Sequence, residues 1–246
     1  MKAFRTMLAI LLAACGLAAQ APKKSAPPPS KHAPTSVTAQ KKAAPAQTPE
    51  QALAQHERWA IKTSVPDADP KHAKKIAFAD FVALAAPPGV QDHDPRFKDT
   101  RIPASPNSLN VKEGDLVTVT VWLHLVATES DDDYHIQVSG SAQDGKNCLI
   151  VEVPKPQLVP DSSAALRPAF QGVRDIIKAK MLKGQEPSGR GNLMAHPPYV
   201  QVTGQLFFDT SHAAHPEQRG RKHMPAATAW EVHPVTALAF APKPMP

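Results

Sequence analysis

The order of apolar patterns along the chain is the feature that most restricts its fold. Three runs of alternating apolar and polar residues come first, one amphipathic helix follows, and two more alternating runs end the pattern. Alternation with a period of two is typical of strands that bury one face. The strand-like runs are residues 116–127, 134–141, 148–153, 199–209 and 228–240, and the helix falls within residues 164–182. Five strands with a helix between the third and the fourth predict a mainly β, five-stranded OB-like barrel (β-β-β-α-β-β).

The predicted helix carries its large apolar residues on one face. They recur at steps of four, three, four and four residues: Leu166, Phe170, Val173, Ile177 and Met181. Such a face is wide enough to cover one end of a barrel. Gly204 lies in the middle of the fourth run and marks the sharp bend that a strand of a small barrel needs.

The first 21 residues have the form of an export signal. Lys2 and Arg5 precede an apolar stretch at residues 7–12 that is too short to span a bilayer. The following Leu-Ala-Ala-Cys-Gly resembles the lipobox of bacterial lipoproteins, a family in which the chain is cut before the cysteine, here Cys15, and lipidated there. The alternative is ordinary cleavage after Ala21, although Pro22 would then follow the cut. The resemblance implies a periplasmic location at the outer membrane.

The rest of the chain divides by composition. Residues 22–50 are rich in Pro, Ala and Lys and have almost no large apolar side chain, so they are expected to form a disordered linker. Residues 51–110 show weak patterns and are expected to be an irregular extension that packs on the barrel, which takes residues 111–241. Cys148 is the only cysteine besides Cys15, so no internal disulfide is expected.

The positive net charge of the chain comes from its first fifty residues. Of 28 basic and 22 acidic residues, seven basic and one acidic residue lie in the first fifty positions, so the remaining chain has no net charge. Proteins that bind long nucleic acids usually have a basic domain. Long DNA or RNA is therefore not an expected partner.

Two pairs of residues in the predicted strands combine a histidine with a carboxylate at a spacing of two. Asp133 and His135 begin the second strand, and Glu231 and His233 lie on the last one. Residues two apart share one face of a strand. If the pairs meet, they form either a buried polar network or an acid–base pair, and the network is favoured because no nucleophile motif accompanies them.

A basic loop precedes the last strand. In OB-type barrels the loop between the fourth and fifth strands commonly borders the ligand face. The sequence therefore predicts a ligand surface there, with exposed aromatic residues as stacking partners: Arg219, Arg221, Lys222, His223, Trp122 and Phe207. The expected ligand is a small anionic or glycan-like molecule or a protein partner, and simple solvation of the loop is the alternative.

Two groups of residues contain the ligand types of a metal site, and neither is favoured as one. Three consecutive aspartates, residues 131–133, together with His135 lack the spacing of a calcium loop. The histidines around the last loop lack an HExxH motif: His212, His215, His223 and His233, with Asp209. No metal and no cofactor is therefore expected.

Two short motifs carry a further resemblance. Asp133-Tyr134-His135 and the segment at residues 230–235, Trp-Glu-Val-His-Pro-Val, resemble an uncharacterised group of exported bacterial proteins with an OB-like core. The likeness covers residues 58–240 and implies the fold but no established activity. The sequence therefore favours an exported, membrane-anchored binding or structural protein. A periplasmic hydrolase such as a metal-assisted nuclease, or a cell-wall or glycan-binding module, stays as the alternative.

Overall fold

The computed structural model describes residues 57–244, so Cys15, the signal sequence and the linker lie outside the described residues. The helices are α1 (Trp59–Lys62), α2 (Phe78–Val82) and α3 (Arg167–Met181). The strands are β1 (Lys74–Lys75), β2 (Leu116–Thr128), β3 (Tyr134–Ser139), β4 (Leu149–Val153), β5 (Asn192–Leu193), β6 (Tyr199–Phe208) and β7 (Trp230–Phe240). Short 3-10 helices lie at Pro70–His72, Pro95–Phe97, Pro156–Leu158, Asp161–Leu166, Thr210–His212 and Pro216–Arg219.

Five of these strands close into a barrel in the order β2, β3, β4, β7, β6, because β2 pairs with both β3 and β6. Strands β4 and β7 pair in parallel at Val151 and Val232, and the other neighbours are antiparallel. Register shifts at Leu123–Leu125 and around Gly204 mark the bends that a small barrel requires. The predicted fold class is confirmed, and each barrel strand begins and ends within two residues of the predicted bounds.

Alternate residues of the strands fill the barrel. The inward side chains of β3 and β4 belong to one large apolar cluster and are fully buried: Tyr134, Ile136, Val138, Leu149, Val151 and Val153. The residues between them face outward, yet every position of both strands is buried. Other parts of the chain must therefore cover the outside of the barrel at this point.

Helix α3 packs its apolar face on the barrel. Phe170, Val173 and Ile177 are buried in the same cluster as the barrel interior. The helix begins at Arg167, three residues after the predicted start, because a 3-10 helix occupies Asp161–Leu166. Pro168 lies in the first turn, where its missing N–H interrupts no hydrogen bond.

The described part of the extension, residues 57–110, packs on the barrel. Strand β1 pairs in parallel with β2, and Ile76, Phe81 and Ile102 join the main apolar cluster. Arg58 also reaches the barrel, where its guanidinium donates to Glu113 and to the backbone oxygen of Phe208. The extension is therefore part of the same hydrophobic core.

Candidate functional site

The chain between β6 and β7 folds back over the outside of the barrel. We call residues 209–229 the cover loop. Gln137, on the outer face of β3, accepts a hydrogen bond of 2.8 Å from the backbone N–H of Arg221 and donates one of 2.9 Å to the backbone oxygen of Met224. The cover loop thus occupies the β3–β4 face that OB-type barrels commonly use for ligands.

One part of the covered face is apolar. It forms a second cluster outside the barrel wall: Leu125, Ala127, Cys148, Ile150, Met224 and Ala226. Burial raises the pKa of the Cys148 thiol to about 11, so it stays protonated and packs as a small apolar residue. This part of the face therefore packs against the cover loop.

The other part of the covered face is charged. We call it the polar cluster, and it consists of Glu129, Asp133, His135, Glu152, Asp209, Arg219, Glu231 and His233. The cover loop contributes Arg219, whose guanidinium lies 3.1 Å from Glu129 Oε1 and pairs with Glu152 Oε1. Its Nε lies 3.3 Å from both Asp209 Oδ2 and Glu231 Oε1. One arginine thus faces four carboxylates.

Two buried histidines complete the polar cluster. His135 Nδ1 lies 2.9 Å from Glu152 Oε1 and 3.1 Å from Glu129 Oε1. His233 Nδ1 lies 3.1 Å from Glu152 Oε2, and its Nε2 lies 3.4 Å from Asp133 Oδ2. The side chains of both histidines are 0% exposed. Glu152 therefore connects the two histidines with its two oxygens.

The charges of the polar cluster shift the pKa values of its members. Burial alone would lower the pKa of His233, but Asp133, Glu152 and Glu231 outweigh it and hold that pKa well above its usual value. Burial raises the pKa of Asp133 to about 6. Burial also opposes ionisation of Glu152, but Arg219 and the histidines keep its pKa well below the usual value. Carboxylate and imidazolium thus stabilise each other.

The polar cluster has the residue types of an acid–base centre but is closed to solvent. Asp133, Glu152, Glu231 and His233 have side chains that are 0–1% exposed. A general base must come within hydrogen-bond distance of the proton it removes. A soluble substrate could reach these groups only if the cover loop moved away.

The structure brings together all four residues of the predicted polar network, Asp133, His135, Glu231 and His233, within the polar cluster. The sequence reasoning missed Glu152, which joins the two pairs. Its signal was present, since Glu152 is the only charged residue in the apolar run 148–153. A lone charge in a buried strand needs a partner.

The residues of the predicted ligand surface lie in different environments in the structure. Arg219 turns inward, and Arg221 lies 2.8 Å from Glu129, so both bind the protein's own carboxylate. Lys222 and His223 are exposed at the tip of the cover loop. The expectation that Phe207 is exposed is wrong, since its ring is fully buried and lies 5.5 Å from that of His233. It lies on the outward face of β6, but the extension and the polar cluster cover it.

The two metal sites weighed from the sequence do not assemble. Among residues 57–244, the three-residue groups that could hold a metal ion are Glu129–His135–Glu152 and Asp133–Glu152–His233. In the second set His212 pairs with Asp209, but His215 pairs with Glu217. Asp132 pairs with Lys155.

The outer surface of β2 and β6 is partly exposed. Its exposed and half-buried outward residues form what we call the open face: Thr120, Trp122, Tyr199, Gln201 and Thr203. The rings of Trp122 and Tyr199 are partly exposed, with centroids 4.7 Å apart. A shallow cleft of about 400 Å³ runs beside them and includes Thr120, Tyr199 and Gln201. This surface offers aromatic rings beside hydroxyl and amide groups.

A second cleft, of about 780 Å³, lies between the extension and the barrel. Two ion pairs lie along it, Lys74 with Asp115 at 2.9 Å and His72 with Asp67 at 2.6 Å, and Arg101 and Lys112 also line it.

Comparison with known proteins does not identify the chain. No family model, no curated protein and no solved structure matches it. Among the described residues, no helix is long and apolar enough to span a membrane.

Proposed function

We propose that this protein is an exported, membrane-anchored binding protein of the cell envelope, without catalytic activity, and that its ligand is a glycan. The anchor is Cys15, and the linker at residues 22–50 lets the barrel reach away from the membrane. We favour a binding protein over a hydrolase because the acid–base groups are buried.

The argument against catalysis rests on access. The buried carboxylates and histidines of the polar cluster lie beneath a cover loop that is fastened by Arg219 and by hydrogen bonds to Gln137. Several ion pairs would have to break before a substrate could enter. A metal-assisted nuclease, the alternative on this fold, needs an accessible site.

The argument for a glycan rests on the open face. Sugar rings have apolar C–H faces and hydroxyl groups at their edges, so they fit an amphipathic aromatic ring beside polar side chains. Trp122 and Tyr199 supply the rings, and Thr120 and Gln201 supply hydroxyl and amide groups in the next register pair. The lack of net charge after the linker suits an uncharged or weakly charged polymer better than nucleic acid.

The test is co-sedimentation of the mature chain with purified peptidoglycan sacculi. We expect the wild-type protein to sediment with sacculi and Trp122→Ala to bind at least about tenfold more weakly, which corresponds to about 1.4 kcal/mol. Trp122→Phe should retain part of the binding because it keeps a ring. Leu193→Ala is the matched control, since Leu193 is a large exposed apolar residue on another strand, β5.

Two results would contradict the proposal. Equal sedimentation of wild type and Trp122→Ala would show that the open face does not bind the glycan. Release of soluble fragments from the sacculi by the purified protein would establish a hydrolase. A titration with single-stranded DNA at low and moderate salt serves as the nucleic-acid control, and tight binding there would also reject the glycan assignment.

A further inference from the structure

Buried ligand atoms without hydrogen-bond partners are concentrated in the polar cluster. They are Asp133 Oδ2, His135 Nε2, Glu231 Oε2 and both ring nitrogens of His233, and the four side chains are 0–1% exposed. The distances from His233 to its carboxylate neighbours are those of ion pairs, but the angles do not make hydrogen bonds. Buried polar groups in native proteins are nearly always satisfied. These atoms are therefore available to a further partner, beyond the ion pairs between the side chains.

The geometry of one group fits a metal ion. Asp133, Glu152 and His233 each offer one ligand atom, and these atoms all lie within 4.8 Å of one another. Ligand atoms of a tetrahedral zinc site, at bond lengths near 2.1 Å, lie about 3.4 Å apart. One ion can bind only one ring nitrogen of His233. Nε2 lies 3.4 Å from Asp133 Oδ2, which is near that value, whereas Glu152 Oε2 lies 3.1 Å from the other nitrogen, Nδ1, and completes the group within the 4.8 Å limit. Glu231 Oε2 lies 3.6 Å from His233 Nδ1 and offers a further oxygen.

The second group, Glu129–His135–Glu152, fits less well. Glu129 Oε1 already accepts hydrogen bonds from both Arg219 and Arg221, and Glu152 Oε1 accepts from Arg219. Their guanidinium groups occupy the positions that a cation would need. The Asp133 side of the polar cluster has no arginine within ion-pair distance.

The charge balance points the same way. Five carboxylates face the polar cluster, those of Glu129, Asp133, Glu152, Asp209 and Glu231. Three cations that are always charged face them, namely Lys62, Arg219 and Arg221. Among these eight groups two negative charges remain when His135 and His233 are neutral, and buried uncompensated charge is costly. Either one divalent cation or protons on both His135 and His233 would balance them.

We propose that Asp133, Glu152 and His233 bind one divalent transition-metal ion, with zinc as the leading candidate. One imidazole with two carboxylates is a ligand set that suits such ions. The role is structural, since the three ligands come from the start of β3, from β4 and from β7. The β4–β7 pair has a single register pair, Val151 with Val232, so a metal bridge there would strengthen the point where the barrel closes.

The test uses the untagged mature protein. Metal content is measured by mass spectrometry after equilibration with zinc and gel filtration, and the melting temperature is measured with zinc and with a chelator. We expect about one zinc ion per chain and a melting temperature about 5–10 °C higher when free zinc exceeds Kd about a hundredfold. X-ray absorption at the zinc edge should show one imidazole and oxygen ligands.

Variants separate this site from surface binding. Asp133→Asn and His233→Gln should lose stoichiometric zinc, whereas His223→Gln, which removes an exposed histidine of the cover loop, should keep it. The wild-type measurements stand even if a variant fails to fold. A metal content far below one ion per chain, together with a melting temperature that the chelator does not change, would overturn the proposal. The charge of the polar cluster would then be balanced by protons on the two histidines. Zinc that is lost in His223→Gln would overturn the proposal as well.

Discussion

The guanidinium of Arg58 makes two parallel hydrogen bonds, of 2.8 and 2.7 Å, to the carboxylate of Glu113, and both side chains are buried. Arg58 comes from the extension and Glu113 from the turn before β2. The same carboxylate accepts hydrogen bonds from the backbone N–H groups of Ile102 and Phe208. One ion pair thus connects the extension, the first barrel strand and the end of β6.

The first prediction concerns this pair. Arg58→Ala should lower the free energy of unfolding by about 3–5 kcal/mol, because it leaves the buried Glu113 carboxylate without its counter-ion. Urea denaturation followed by tryptophan fluorescence measures the loss. The double variant Arg58→Met, Glu113→Leu should recover part of it, since no unpaired charge remains. A single-variant loss below about 0.5 kcal/mol would show that the pair does not hold the extension in solution.

The second prediction compares two glycines. A Cβ added at Gly204 would lie 2.7 Å from Val232 Cγ1 and 2.8 Å from Val235 Cα, and would also meet the backbone oxygen of Pro234. Gly204→Ala should therefore destabilise the protein by about 1–3 kcal/mol or more. Gly172→Ala is the control, because a Cβ there meets nothing within 4 Å. On the exposed face of α3 it should stabilise by about 0.5–1 kcal/mol. Similar effects at both sites would refute the close approach of β6 and β7.

The third prediction concerns the helix that packs on the barrel. Phe170 is fully buried, and Phe170→Ala should cost about 3–5 kcal/mol in denaturant unfolding. Phe240→Ala removes the same atoms from a side chain that is 52% exposed and should change stability by about 0.5 kcal/mol or less. If the two variants lost similar stability, α3 would not be packed on the barrel as described.

The fourth prediction concerns pH. His212 Nδ1 lies 2.7 Å from Asp209 Oδ2 at the start of the cover loop, and this hydrogen bond raises the pKa of His212 above its usual 6.5. A raised folded pKa means that the pair stabilises fully below about pH 6.5 and that the contribution disappears as pH rises through the folded pKa. The stability difference between wild type and His212→Gln should therefore be larger near about pH 5.5 than near about pH 9.

The effect should stay below about 1 kcal/mol, because the His212 side chain is 31% exposed and solvent screens the pair. Urea denaturation of both proteins across this pH range provides the measurement. A difference that is constant with pH would mean that His212 does not carry a charge in the folded state.

The fifth prediction concerns export. Cys15→Ser should move the protein from the membrane fraction to the soluble fraction or leave the precursor uncut, because the lipobox cysteine is the site of both cleavage and lipidation in the family that the segment resembles. Fractionation and mass spectrometry of the mature N-terminus provide the measurement. A soluble mature form that begins at Gln20 or Pro22 in the wild type would show simple secretion instead.

The barrel could be predicted because its signals are local. The alternation on β2 and β6 and the apolar face of α3 each depend on side chains a few residues apart in the chain. The start of α3 was predicted three residues early because Asp161–Leu166 forms a 3-10 helix, which has nearly the same local pattern. Local patterns also missed the second buried face, since both faces of β3 and β4 are covered.

The polar cluster could be predicted only in part. The two spaced pairs, Asp133 with His135 and Glu231 with His233, share strand faces, and a period of two makes that visible in the sequence. Glu152 lies between the two histidines because the β3–β4 register places it opposite His135 and because β4 pairs in parallel with β7, and no local pattern encodes these pairings. Arg219 illustrates the same limit, because a basic residue in a polar loop has the same sequence signal whether it faces solvent or four carboxylates.

By itself, the sequence determined the number and order of the strands, the place of α3 and the pairs of residues that share a face, because these depend on the short-range geometry of strand and helix. Only the tertiary structure decided that the cover loop closes over β3 and β4, that Arg219 and Arg221 bind the protein's own carboxylates, and that Trp122 stays on an open face. The physical reason is that burial and charge pairing depend on residues as far apart as Glu129 and Arg219, which come together only when the barrel has closed.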